Sequence, residues 1–473
     1  MNLQRVLWRL FIAAFAVAAV SIPGKATAAT SLLQELIDQA KPGETVLIPA
    51  GAYQGPVRVT KPIKLLGQGT VEITSTGKEP ALVIQTDHTT VRGIRIVDKR
   101  INEPDASVIV KGSYNVLEQL VIETMGTGMQ LIKADHNILK EIAVIGGVDE
   151  PDEGQEEIGH DHSQHKLLVP KSTGPKPQKG NGINLDQSHY NQLTSNRIGN
   201  MFDGVYLENS NFNTIEQNFV EKSRYGYHFM GTADTKLLGN TGSANVTGAM
   251  LMETTRATVK ENRFVKQREN PNSQGILLFD VTQSQIENNL IEGNRVGLFM
   301  EQSSENLFKG NQLEKNFIGM QLKEAAYNEV TANQFISNVI QGQAQASKEN
   351  LLEGNYWDTM QGIDLDGDQH SDIPYEMNPF FLALTGAVPP YQLFFQAPGF
   401  VFLEGLFTSG TGTAIRDPRP LMAPAKTVLV ATDGILPAEQ TEEQPEERTW
   451  VMSISACLLA LTSLGIYMGV RQK

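Results

Sequence analysis

The chain has 473 residues, with 53 acidic against 39 basic side chains and a formal charge of −14. That balance disfavours nucleic acid as a partner, which calls for a basic footprint. The single cysteine, Cys457, leaves no disulfide framework and no Cys-based zinc or iron–sulfur centre.

Residues 1–28 read as a secretory signal peptide: Arg5 and Arg9, an apolar run from Leu10 to Val20, then the small-residue site Ala26-Thr27-Ala28. Residues 29–60 are expected to form an N-terminal cap. Within it, Ser31 to Gln39 has the pattern of a short amphipathic helix with Ser31 as N-cap, ended by Lys41-Pro42-Gly43. Such a helix would cover open strand edges at the start of the adjoining segment.

That segment, residues 61–357, repeats. Glycines stand at Gly182, Gly204, Gly226, Gly248, Gly275, Gly297 and Gly319, in steps of 22 apart from one of 27. Asn196, Asn218, Asn240, Asn262, Asn289, Asn311, Asn333 and Asn355 keep the same steps. A looser column runs Asn115, Asn137, Asn191, Asn213, then Thr235, Ala257, Ser284, then Asn306, Asn328, Asn350. A fixed period of this length marks a solenoid, whose units bury their apolar faces only against neighbours. Within a unit the apolar residues alternate, as in Gly204-Val205-Tyr206-Leu207, which is strand periodicity. The expected fold is therefore all-β: a right-handed parallel β-helix of roughly twelve coils, with an Asn ladder climbing at ~4.8 Å steps.

Between Gly128 and Gly182 the register carries an insertion, residues 147–179, acidic first, then His-rich, then rich in Pro and Lys. It is expected to loop outside the solenoid. After Trp357 comes an extension, 358–424, whose run Pro379–Phe407 is strongly apolar and aromatic and would cap the solenoid or meet a membrane partner. An acidic linker, 425–448, leads to residues 449–470, apolar, uncharged and long enough for a transmembrane helix. Arg471 and Lys473 behind it place the short tail in the cytoplasm and the body outside the membrane.

Three groups of side chains could carry chemistry. Strand alternation from each column glycine turns residues +1 and +3 inward and +2 and +4 outward. The outward columns read Tyr206, His228, Met250, Leu277, Phe299 and Glu208, Met230, Met252, Phe279, Glu301. His228, Met230, Met250 and Met252 thus share one outer patch on adjacent coils. An apolar Met-rich patch first suggests protein docking, and thioether with imidazole also suits copper(I), a reading compatible with it. In the insertion, His160, His162 and His165 within His160-Asp161-His162-Ser163-Gln164-His165 form a second, weaker copper candidate. Asp364, Asp366, Asp368 and Asp372 alternate around Gly367 as oxygen ligands for a hard cation, calcium. His88 and His136 fall at coil turns and read as structural. No P-loop, GxSxG or HExxH is present and no nucleophile–base pair stands out, so the chain reads as no enzyme.

Gly354-Asn355-Tyr356-Trp357, the Asp364–Asp368 run and Asp372-Ile373-Pro374-Tyr375 resemble the NosD family, β-helix proteins of nitrous oxide reductase maturation. Asp417-Pro418-Arg419-Pro420-Leu421-Met422 and the early run from Pro42 to Pro56 are similar to that family too. The resemblance implies an extracytoplasmic accessory of a copper-supply ABC system, serving assembly of the reductase's copper–sulfide centre. Its implied partners are an ABC-type permease with its ATPase, a copper chaperone lipoprotein and the reductase, with a C-terminal membrane tether here. The alternative is a carbohydrate-active β-helix enzyme, a polysaccharide lyase or epimerase, which would set Asp, Glu, Lys, Arg or His along an outer groove.

Overall fold

The structure, a computed structural model, describes residues 29–101, 105–147, 179–268, 270, 272–376 and 416–424. The expected signal peptide, His160, His162 and His165, the Pro379–Phe407 run, the acidic linker and the 449–470 anchor lie outside these residues. Among the described residues, no helix is long and apolar enough to cross a membrane.

Three parallel sheets run the length of the solenoid, and each coil but the last gives one strand to each sheet. The first sheet has 13 strands, from Thr45–Ile48 to Leu351–Glu353. The second also has 13, from Gly51–Gln54 to Tyr356–Trp357. The third has 12, from Val57–Val59 to Ile340–Gln345. There are thus 13 turns rather than the expected twelve, and the first coil lies inside the stretch read as a cap. That coil carries neither the Gly nor the Asn column, so the 22-residue register does not announce it.

The interior is one continuous apolar column, with Val205, Leu207, Phe229, Leu251, Ile276 and Leu278 fully buried. At the corner between the first and second sheets, each Asn side chain serves the coil on either side. The Asn196 backbone N–H donates to Asn218 Oδ1 at 2.9 Å, its Nδ2 donates to the same oxygen at 2.8 Å, and Nδ2 also donates to the Leu139 carbonyl at 3.0 Å. The bonds repeat up to Asn355. These amides satisfy backbone groups that a sharp corner would otherwise bury unpaired. A further ladder, absent from the sequence reading, climbs the corner between the second and third sheets through Asn294, Asn316 and Asn338. The column glycines are needed for close approach: a Cβ on Gly226 would stand 2.5 Å from the Gly248 carbonyl oxygen.

Both ends are covered. The helix Ala29–Gln39 buries Leu33 and Ile37 against the first coil. Gln34 exchanges two hydrogen bonds with the Arg58 backbone (Oε1 from N–H at 2.9 Å, Nε2 to the carbonyl at 3.1 Å) and so occupies an open strand edge. The helix starts two residues before Ser31, which therefore lies inside it rather than at its N-cap. At the far end, buried Asp417 takes the place of the next coil's Asn. Its Oδ2 accepts from the Asn355 N–H and Nδ2, both at 3.0 Å, and from Trp357 Nε1 at 3.1 Å. Trp357 is itself stacked between Phe335 and Tyr375.

His88 and His136 sit one residue before the looser Asn column, in left-handed backbone (φ 55° and 57°). Their rings belong to a stack, His88–Tyr114–His136–Tyr190–Phe212, with centroid steps of 5.1, 4.7, 4.9 and 4.8 Å. Ring stacking of this kind accounts for both histidines.

Candidate functional site

The outer face of the third sheet brings the His/Met group together on adjacent strands, Asp203–Glu208, Tyr225–Met230 and Thr247–Met252. Tyr206, His228, Met250, Leu277 and Phe299 are direct neighbours up one column. Glu208, Met230, Met252, Phe279 and Glu301 are neighbours up the next. The patch is less open than alternation alone suggests. His228 is 6% and Met250 8% exposed, whereas Met230, Met252, Tyr206, Phe279 and Phe299 are half-buried.

The cover comes from residues that the repeat did not single out. Asp203 Oδ2 lies 2.8 Å from His228 Nδ1. Arg224 grips the same carboxylate with both edges of its fork, Nε to Oδ1 at 2.9 Å and Nη2 to Oδ2 at 2.8 Å. The guanidinium lies between the Phe202 ring, 3.6 Å from its centroid, and the Tyr225 ring at 4.2 Å. Tyr225 meets the imidazole edge-on at 5.0 Å and Tyr206 lies over it at 4.8 Å. The Tyr206 hydroxyl in turn donates to Met230 Sδ at 3.4 Å.

Electrostatics follow from this packing. Burial pushes Asp203 up, but hydrogen bonds from His228 and Arg224 outweigh it and hold the carboxyl below its ordinary range. Burial first, then the Glu208 and Asp203 charges, push the Tyr206 phenol up to about 12. A carboxylate only accepts, so Nδ1 of His228 carries the proton. Nε2 is buried and has no hydrogen-bond partner, so a proton there would have no acceptor. A histidine oriented by a carboxylate through its other nitrogen is the arrangement of metal-ligating histidines.

The Asp-rich turn is built differently from the four-carboxylate expectation. Asp364, Asp366 and Asp372 bring one oxygen each within 4.8 Å of one another. Asp368 instead pairs with Arg419 and accepts from the His370 N–H at 2.8 Å. Asp364 accepts from the Gly367 and Gln369 N–H groups at 2.7 and 3.0 Å, and Asp372 from Leu365 N–H at 2.8 Å. The turn holds itself together through backbone bonds, and no comparison with known proteins supports calcium.

A family model described as "Periplasmic copper-binding protein (NosD)" matches residues 161–364. Over that span the chain is similar to the NosD family. The matched segment contains the whole His/Met face together with Asp203 and Arg224. A search of curated proteins returns no match. Among solved structures, the A-module of mannuronan C-5 epimerase AlgE6 from Azotobacter vinelandii aligns with TM-score 0.52 and 13% identity, over 73% of this chain and 92% of that one. A PL6 family polysaccharide lyase from Pseudopedobacter saltans aligns with TM-score 0.52 and 15% identity, over 70% and 92%. At such identities the likeness is one of fold. It also corrects the reading that the chain is no enzyme: these neighbours are catalysts, and missing motifs of other folds exclude nothing on a β-helix.

Proposed function

We propose that this protein is an extracytoplasmic copper-handling accessory that serves maturation of nitrous oxide reductase, at the assembly of its copper–sulfide centre. The match of residues 161–364 to a family described as periplasmic and copper-binding carries the reading. The location of the soft-ligand face inside that span supports it. The signal-like residues 1–28 and the apolar residues 449–470 support a body held outside the cytoplasmic membrane by a C-terminal tether. An ABC-type permease with its ATPase, a copper chaperone lipoprotein and the reductase are the proposed partners, and the half-covered Met and aromatic face is where one of the latter two docks. The carbohydrate-active alternative draws on the epimerase and lyase likeness, which is a likeness of fold.

The test is deletion of the gene in a host that makes the reductase, followed by metal analysis of the purified reductase. Copper-poor reductase, restored by the intact gene, is the expected result. Fully loaded reductase from the deletion strain would overturn the proposal.

A further inference from the structure

We propose that Nε2 of His228 is the single nitrogen donor of a copper(I) site completed by the thioethers of Met250 and Met230, with Asp203 and Arg224 as its positioning pair. The inference rests on the copper-handling reading and assigns ligands to it.

The geometry runs outward from the buried carboxylate. Asp203 belongs to the coil before His228 and holds Nδ1, so the ring's other nitrogen faces away from that coil. On that side stands Met250, paired directly with His228 on the next coil; Met230, two residues on along the same strand face, has its sulfur turned to the Tyr206 hydroxyl of the preceding coil and would have to leave that contact to reach the ion. Residues paired across neighbouring strands lie ~4.8 Å apart and residues i and i+2 ~6.6 Å apart, both within reach of a four-atom thioether side chain. Methionine has three rotatable bonds beyond its backbone, so its sulfur can swing toward an ion without moving the sheet.

The donor set selects the ion. One imidazole and two thioethers are soft donors, which favours copper(I) over zinc or calcium. The Asp203–Arg224 pair is neutral as a unit, so it orients the imidazole without offering a carboxylate to a hard ion. Arg224 also holds both Asp203 oxygens, which stops the carboxylate from turning toward the metal. Nε2 is the donor atom that remains, buried and without a partner.

The test uses the purified full-length protein, titrated without oxygen with copper(I) against a chromophoric chelator, and X-ray absorption of the copper-loaded sample. The wild type is expected to hold one copper(I) per chain in a mixed nitrogen and sulfur shell. His228→Ala should weaken binding at least tenfold, and Asp203→Asn by ~10–100-fold, the range for the partner that orients a metal-bound histidine. Met230→Leu with Met250→Leu should remove the sulfur shell, and since neither residue pairs with the buried carboxylate this variant keeps the proposal falsifiable if Asp203→Asn fails to fold. Unchanged affinity in His228→Ala, or a sulfur shell that survives the double Met→Leu change, overturns the site. Either result, alongside copper-poor reductase in the deletion strain, sinks these ligands and leaves the proposed function standing. Loaded reductase in the deletion strain sinks the function and leaves the ligand assignment to the titration.

Discussion

Replacing Asn262 with alanine removes one rung from the middle of the corner ladder, and the structure gives the size of the loss. The Asn262 side chain accepts from the Asn240 N–H at 2.8 Å and donates to the Leu237 carbonyl at 2.8 Å and to Asn289 Oδ1 at 2.9 Å. Asn289 keeps its bond from the Asn262 backbone N–H, and the Asn240 amide keeps the Ile215 and Leu238 carbonyls. One buried group is then stranded, the Asn240 N–H; the Leu237 carbonyl loses the amide but lies within Lys236–Leu238, which pairs with Thr258–Lys260. The change should destabilise the coil by about 1–3 kcal/mol. Serine is a graded control, because the looser column already uses one: Ser284 Oγ accepts from the Ala257 N–H at 2.9 Å. Asn262→Ser should therefore restore the bond to the Asn240 N–H and cost clearly less than alanine. Urea unfolding with hydrogen exchange read coil by coil measures both, with protection lost first at residues 235–290. A loss below about 0.5 kcal/mol for alanine, the range of an ordinary surface change, would refute the reasoning, as would serine and alanine costing the same.

Asp417→Ala should open the far end of the same ladder, leaving the Asn355 backbone N–H and Trp357 Nε1 unpaired and residues 354–376 sensitive to limited proteolysis, while Asp417→Asn keeps most of the resistance. Buried Asp98 gives a pH signature: burial raises its pKa, but hydrogen bonds from Arg100, Ser75 and Ser107 outweigh that and hold it below the ordinary range. A depressed folded pKa contributes stability above the unfolded value, ~3.9, that is lost as pH falls through the folded value. Melting temperature should therefore drop more steeply below about pH 4 in the wild type than in Asp98→Asn. Replacing residues 148–178 by a short linker should leave the melting temperature unchanged, since the flanking coils pair directly (Met129 with Ile183). A collapse of the fold would show that the insertion is structural.

Much of the architecture was legible because stacking demands identity at a fixed step: Asn196 to Asn355 repeat for the reason that each amide bonds its own copy one coil away. The ladder through Asn294, Asn316 and Asn338 obeys the same rule but is interrupted lower down by Ser223 and Gln267, which hid its register. The first coil was illegible because Gln34 and the capping helix, rather than an Asn, serve its edge. The site was half legible. Alternation found His228 and the methionines, but it was counted forward from each column glycine and so passed over Asp203, one residue before Gly204. The glycine breaks alternation where backbones approach closely, and Asp203 reaches His228 on the outer side. Arg224 precedes its own column glycine, Gly226, by two residues and escaped the same count.

The most direct measurement of the central claim is the copper content of nitrous oxide reductase purified from cells whose only copy of this protein carries Met230→Leu, Met250→Leu and Met252→Leu. Leucine keeps the apolar volume of the face and removes only the sulfurs, so folding and docking persist. Reductase deficient in copper, with normal amounts of the variant exported, is the result the account predicts. Fully loaded reductase would contradict it and show that copper does not pass through this face.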